Sequence, residues 1–327
     1  MINIQTQLPV REHLKLHIEP IRPEKDKDYT RLDRIIFGDN QFFGINHMSN
    51  EKAQSMAARF KDSESIIRVI DIAYNAGIHA FMFNTHDRVK EVCDHFRAYP
   101  EKYSNLSLYP SMPYAHKYAN AVNENGMLGA LNEFIFSGRS TKQAINTIIQ
   151  GGKSLIKRDM IEVMKLLVDA EMRMFQGLRV KAIFLQNIVT DLLLGLGSRE
   201  VFIEFVRHIE MTYGVEAAFN TMNMPALVDF LLDCGIENPI VCSGINKKGF
   251  LMTPSQREYE QALVEKPFRA LAMSILASGD IPPNEAIEYV CKLPNIRSIV
   301  FGASTKEHII DTRNMIYSYW GETEDIT

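Results

Sequence analysis

No apolar run in this chain approaches the roughly 20 residues needed to cross a bilayer. The opening stretch MINIQTQLPVREH lacks the basic-then-apolar profile of a secretory signal, so a cytoplasmic location is expected. Only four cysteines occur, Cys93, Cys234, Cys242 and Cys291, and they form neither a CxxC pair nor any Cys/His ligand spacing. They read as reduced core thiols rather than disulfide or zinc partners. Charge of one sign is also missing. With 36 Lys+Arg against 40 Asp+Glu the formal charge is −4, which argues against a nucleic-acid binder with a basic face. Gly151-Gly152-Lys153-Ser154 is not a Walker A loop, because Thr147 stands where that motif needs a glycine.

What remains is an ordinary globular composition, 46% apolar and 23% charged over 327 residues, enough chain for one large α/β domain. Short apolar, β-rich runs recur at 35–37, 78–83, 106–109, 180–185, 217–219, 240–242, 270–275 and 298–301. Each leads through a turn into a segment of helical periodicity, the alternation of parallel βα units. Eight such units predict a (β/α)8 TIM barrel over residues 31–327, in the α/β class, preceded by an N-terminal arm at 1–30.

Local punctuation agrees with that alternation. Asp62 or Ser63 can cap a helix carrying Ile66, Ile70 and Ala73 and closed by Gly77. Asn223 can cap another, with Pro225 in its first turn and Gly235 at its end. Ser304 and Glu307 form an S-x-x-E capping box after the eighth strand, and Asp87 is placed to cap the helix after the second. The connection between the third and fourth strands is unusually long. Its stretch 113–139 reads as an insertion at the barrel mouth, either a lid or a helical cover or dimer contact, followed by a long helix from about 141 to 175.

Barrel enzymes gather working residues at the carboxyl ends of their strands. Those ends here supply Asp39, Asn40 and His47, then Asn84, His86 and Asp87, then Ser111 and Tyr114, then Gln186 and Asn187, and finally Asn220, Ser243 and Lys247. The ring is rich in amides, which orient polar ligands but transfer protons poorly. Acid–base work therefore falls on His47, His86, Asp39 or Asp87, with Asn40, Asn84, Ser111, Tyr114, Gln186, Asn187, Asn220 and Ser243 as substrate contacts. The histidine and aspartate spacing is no metal motif, and no metal is expected. Ser278-Gly279 after the seventh strand and Gly302-Ala303-Ser304-Thr305 after the eighth precede helices, an arrangement that suits a phosphate on backbone N–H groups.

The segment SIVFGASTKEHI, preceded by PFRALAMSILASGDIPPNEAIEYVCKLPNIR, resembles the carboxyl-terminal part of aldo-keto reductase barrels, and AFMFNTHD is similar to that family's second strand. The resemblance implies that the last two loops grip the phosphate of NADP or NAD. It also exposes departures: Asn84 replaces the family's aspartate, His86-Asp87-Arg88-Val89 lacks its tyrosine, Tyr109-Pro110-Ser111 lacks its lysine, and Gln186 stands for its histidine. Three readings stay open. One is an NAD(P)-dependent oxidoreductase with non-standard acid–base residues. The second is a lyase, aldolase or isomerase acting on a phosphorylated small molecule. The third is a non-catalytic barrel. Neither nucleic acid nor membrane is an expected partner, and a homo-oligomer is left open.

Overall fold

The computed structural model describes residues 29–43, 58–114 and 153–321, with backbone alone for 153–159. Eight strands, β1 (Ile35–Phe37), β2 (Ala80–Asn84), β3 (Ser107–Met112), β4 (Ala182–Leu185), β5 (Glu216–Thr221), β6 (Ile240–Gly244), β7 (Arg269–Met273) and β8 (Ile296–Phe301), close into one barrel in sequence order. Every neighbouring pair is parallel, and β1 closes the ring by pairing with both β2 and β8. Nine helices surround it among the described residues: α1 (Ser63–Asn75), α2 (Asp87–Ala98), α3 (Lys153–Met172), α4 (Asn187–Gly195), α5 (Arg199–Tyr213), α6 (Met224–Asp233), α7 (Gln256–Glu265), α8 (Pro283–Lys292) and α9 (Lys306–Trp320). The expected (β/α)8 TIM barrel is the fold. His47, arm residues 1–28 and the insertion from 115 onward lie outside the described residues, as do 151 and 152 of the Gly-Gly-Lys-Ser segment, whose Lys153 and Ser154 begin α3.

Strand alternation divides the core in two. Ile36, Met82, Tyr109, Phe184, Ala218, Cys242, Leu271 and Val300 form an inner cluster in which small and large side chains share the barrel lumen. Their sequence neighbours Phe37, Phe81, Phe83, Ile183, Leu185, Phe219 and Val241 belong to the outer layer beneath the helices. The sequence reading ended the third apolar run at Tyr109, before Pro110, a residue that cannot donate to a ladder. The strand nevertheless continues to Met112, because the β3–β4 ladder is interrupted there: Leu108 bridges Val180, and regular pairing resumes at Ser111 with Phe184. The seventh strand stops at Met273, short of the expected Ile275, because Ser274 turns to a φ of 53°.

Two expected caps shift by one residue. The side chain of Asp62 accepts from Ser65 N–H and that of Asn223 from Ala226 N–H, as anticipated. After β2, however, His86 rather than Asp87 caps α2, its Nδ1 accepting from Arg88 N–H at 3.2 Å. After β8, Thr305 rather than Ser304 caps α9, accepting from His308 N–H at 3.3 Å. In both places two adjacent residues carry acceptors, and the chain direction leaving the strand decides which one reaches the helix.

The amino-terminal end of the barrel is closed by charge. Arg269, 7% exposed, donates to both carboxylate oxygens of Glu216 at 2.5 and 3.0 Å and to the carbonyls of Asn238 and Thr30. Glu216 also accepts from Thr30 N–H at 2.7 Å, which ties residues 29–33 across this end. Although burial pushes the Glu216 carboxyl up, its bonds and charge contact with Arg269 leave its pKa below the ordinary 4.5. The pair therefore stabilises the fold above that value and loses its contribution as pH falls below it. Arg269→Met strands a buried carboxylate and should cost about 3 kcal/mol in urea denaturation at neutral pH, whereas adding Glu216→Leu should recover most of the loss. An unchanged urea midpoint for the single variant would contradict this account.

Candidate functional site

Advancing two residues from each inner-layer side chain brings the chain to the carboxyl edge with its side chain still facing inward. Ile36 leads to Gly38, Met82 to Asn84, Tyr109 to Ser111, Phe184 to Gln186, Ala218 to Asn220 and Val300 to Gly302. Four polar side chains of this ring pair across the mouth. Gln186 Nε2 donates to Asn84 Oδ1 at 3.1 Å, and Asn220 Nδ2 donates to Ser111 Oγ at 2.8 Å. Asn220 Oδ1 remains buried without a partner among the described residues. The expected amide-rich mouth is therefore present, with Asn84, Ser111, Gln186 and Asn220 all in it.

Asp39 completes this layer. The turn after β1 carries it under β2, where its carboxylate accepts from Asn84 N–H at 2.7 Å and Asn84 Nδ2 at 3.1 Å. It is 4% exposed, and among the described residues its contacts are hydrogen-bond donors rather than cations. Burial pushes its pKa from 3.8 to about 7, with the Asn84 bonds opposing only in part. The Tyr114 phenol is raised by burial and by the charge of Asp39, which places the two groups within electrostatic reach.

His86 sits beside this pair but is not simply a mouth histidine. Its ring stacks on Phe43 with centroids 4.2 Å apart, lies 6.1 Å from the Tyr114 ring, and caps α2. Asp87 is the exposed first residue of α2. Asn40 is exposed in the turn after β1, and Asn187 is half-buried at the start of α4. Ser243 is corrected outright: Cys242 belongs to the lumen, so Ser243 faces outward, donating to Thr221 carbonyl at 2.7 Å and meeting Tyr259 Oη at 3.0 Å. Lys247 is an exposed partner of Glu285 at 3.0 Å.

Two groups went unread in the sequence. Glu171, 2% exposed, accepts from Thr85 Oγ1 and from Tyr114 N–H at 3.1 Å, anchoring the backbone on which Tyr114 stands. Its signal was an acid on the same helical stripe as the buried Met164, Val168 and Phe175. Gln41 is the other. Its Nε2 donates to Gly38 carbonyl at 2.8 Å, and its buried Oε1 has no partner among the described residues and lies over Gly302. A Cβ at position 302 would meet that oxygen at 2.0 Å, so any side chain there requires Gln41 to move aside.

Beyond Gly302 the chain runs through Ala303 and Ser304 to α9, and no described acceptor takes the N–H groups of 302–304. Arg59 Nη2 reaches the Ser304 carbonyl at 2.7 Å, bringing a cation to the same loop. The β7 turn is strained, with positive φ at Ser274, Ala277 and Ser278 as well as Gly279, and Lys248 holds it through Asp280. Among the described residues no group of three His, Cys, Asp or Glu side chains could hold a metal ion, and no helix is long and apolar enough to cross a membrane.

No family model and no curated protein matches the chain. Solved structures do match its fold. A protein assigned as an aldo-keto reductase from Pseudomonas aeruginosa superposes with a TM-score of 0.54 over 93% of this chain and 96% of its own, at 13% identity. Another such structure from the same organism gives 0.52 over 88% and 91%, also at 13% identity. A protein assigned as a 2,5-diketo-D-gluconic acid reductase B gives 0.51 over 87% and 85%, at 10% identity. The likeness is one of fold: this chain shares the (β/α)8 barrel of those proteins.

Proposed function

We propose that this chain is a diverged aldo-keto reductase-like enzyme, an NAD(P)-dependent oxidoreductase in which Asp39 takes the acid–base role. The observation that carries this reading is a mouth carboxyl with a pKa of about 7, set among amides that cannot exchange protons at neutral pH. The barrel likeness favours the oxidoreductase over a lyase or isomerase. Gly302, Ala303, Ser304 and Thr305, with the amino terminus of α9 behind them, suit the phosphates of the cofactor, and the Ser278-Gly279 turn borders them in the proposal. When bound, reduced nicotinamide supplies hydride to a carbonyl carbon. Protonated Asp39 gives the carbonyl oxygen its proton, and its carboxylate takes that proton back in alcohol oxidation. Asn84 holds Asp39 in place, and Tyr114 and His86 wall the adjoining space.

The pH dependence follows. Carbonyl reduction by the wild type should fall as pH rises through about 7 while oxidation of the alcohol gains, and Asp39→Asn should lower both by about 100-fold or more. Nicotinamide absorbance over a panel of carbonyls and alcohols checks this; undiminished turnover in Asp39→Asn would reject the assignment. His86→Asn keeps a capping acceptor and should fold normally, so a large loss of turnover in it would add His86 to the acid–base group.

Stability carries the same signature. Because the folded-state pKa of Asp39 lies above its unfolded value, the native state keeps a proton that the unfolded chain has released between about pH 4 and 7. Stability should fall as pH rises through that window, by on the order of 4 kcal/mol in all, and Asp39→Asn should flatten the dependence in urea titrations at pH 5 and 8.

The anion loop is tested separately. Phosphate, sulfate and NADPH should each raise the melting temperature of the wild type. The double variant Gln41→Ala/Gly302→Asp, which makes room for the new side chain and adds negative charge, should lose all three effects. Equal protection of both proteins would remove the loop from the cofactor site.

A further inference from the structure

A cleft of about 560 Å³ opens at the opposite end of the barrel from the mouth, between the last turn of α3, the 173–180 connection and the α5–β5 turn. Met172, Phe175, Leu178, Val180 and Val215 give it an apolar floor, and Arg173 and Arg179 stand at its edge. Both arginines are exposed, and neither has an ion-pair or hydrogen-bond partner for its guanidinium among the described residues.

They are not occupied with the usual work of cations at a helix end. That task falls to Arg97, whose Nη1 donates to the carbonyls of Met174 and Gln176 at 3.0 and 3.1 Å. Among the described residues that line the cleft, Asp169 is the carboxylate, and it is hydrogen-bonded through one oxygen. Its Oδ1 accepts from His208 Nε2 at 2.7 Å and from Tyr213 Oη at 2.5 Å. The neighbouring lysines are likewise matched, Lys181 with Asp33 and Lys165 with Glu204. Two guanidiniums therefore stand at an apolar hollow without an ion-pair partner among the described residues, Asp169 being taken up by His208 and Tyr213. Gly177, at φ 77°, turns the connection beside them, and nothing lies within 4 Å of the place where a side chain would project.

We propose that this cleft binds a small organic anion, a carboxylate or phosphate carried on an apolar body, independently of the mouth. The anionic group would take the planar donor forks of Arg173 and Arg179, and the apolar body would cover Phe175, Leu178 and Val215.

Phenylacetate and phenyl phosphate are the probes, with phenylacetamide as the uncharged counterpart, each titrated calorimetrically and by thermal shift into the full-length protein. Saturable binding of at least one anion at millimolar concentration or below is expected, weakened about tenfold or more in Arg173→Gln/Arg179→Gln. Circular dichroism verifies that these exposed substitutions leave the fold intact. Which of the two anions binds more tightly separates a carboxylate from a phosphate ligand. Gln41→Ala/Gly302→Asp should bind the probes as the wild type does, so failure of the mouth assignment leaves this result untouched. Absence of saturable binding by either anion would overturn the proposal. So would equal binding of the amide, unchanged affinity in the arginine double variant, or loss of binding in the mouth variant.

Discussion

The barrel closes through a strand of three residues. Ile35, Ile36 and Phe37 pair with Ile299, Val300 and Phe301, and only Phe37 pairs onward with Phe81 of β2. Apolar packing supports what so few ladder bonds cannot, since the Phe37 ring meets Phe42, Phe81 and Phe301 at centroid separations of 5.6 to 6.3 Å. Gly38 N–H then bonds to Phe301 carbonyl at 2.8 Å, so the turn that follows has no freedom to swing away. Asp39 under β2 and Gln41 over Gly302 both inherit their positions from this closure.

Two buried carboxylates at opposite ends of the molecule show how environment, not residue type, sets acidity. Glu216 has a fully engaged arginine against it and titrates below its ordinary value. Asp39 has only amide donors, which stabilise its charge incompletely, and it titrates near neutrality. The division has a simple physical consequence: the ionic end is built for holding the chain together, and the end lined with amides leaves one carboxyl that keeps its proton up to about neutral pH.

Much of this was legible in the sequence, because strand alternation and helix punctuation are local properties. Eight apolar runs and the caps at Asp62 and Asn223 sufficed for the architecture, and position at the strand ends singled out Asn84, Ser111, Gln186 and Asn220, which strand parity in the barrel puts in one ring. The same parity, applied from Cys242, would have turned Ser243 outward. What escaped depends on distant parts of the chain. The acidity of Asp39 requires its burial under β2, the role of Glu171 requires α3 to lie against Thr85, and the fit of Gln41 requires β1 and β8 to be adjacent. The one-residue shifts at His86 and Thr305 reflect backbone direction, which neighbouring acceptors do not encode.

Trp320 is the single tryptophan of the chain and lies at the far end of α9 from the Gly302 loop. It is the last of the fifteen residues of that helix, about 21 Å along the axis from the first. Its indole N–H reaches the Cys291 carbonyl at 3.3 Å, and Arg34, next to β1, grips its own carbonyl. The emission of this indole thus reports whether the last helix is seated against the start of the first strand. The molecule carries a built-in optical gauge of its closure, set apart from direct contact with whatever occupies the mouth.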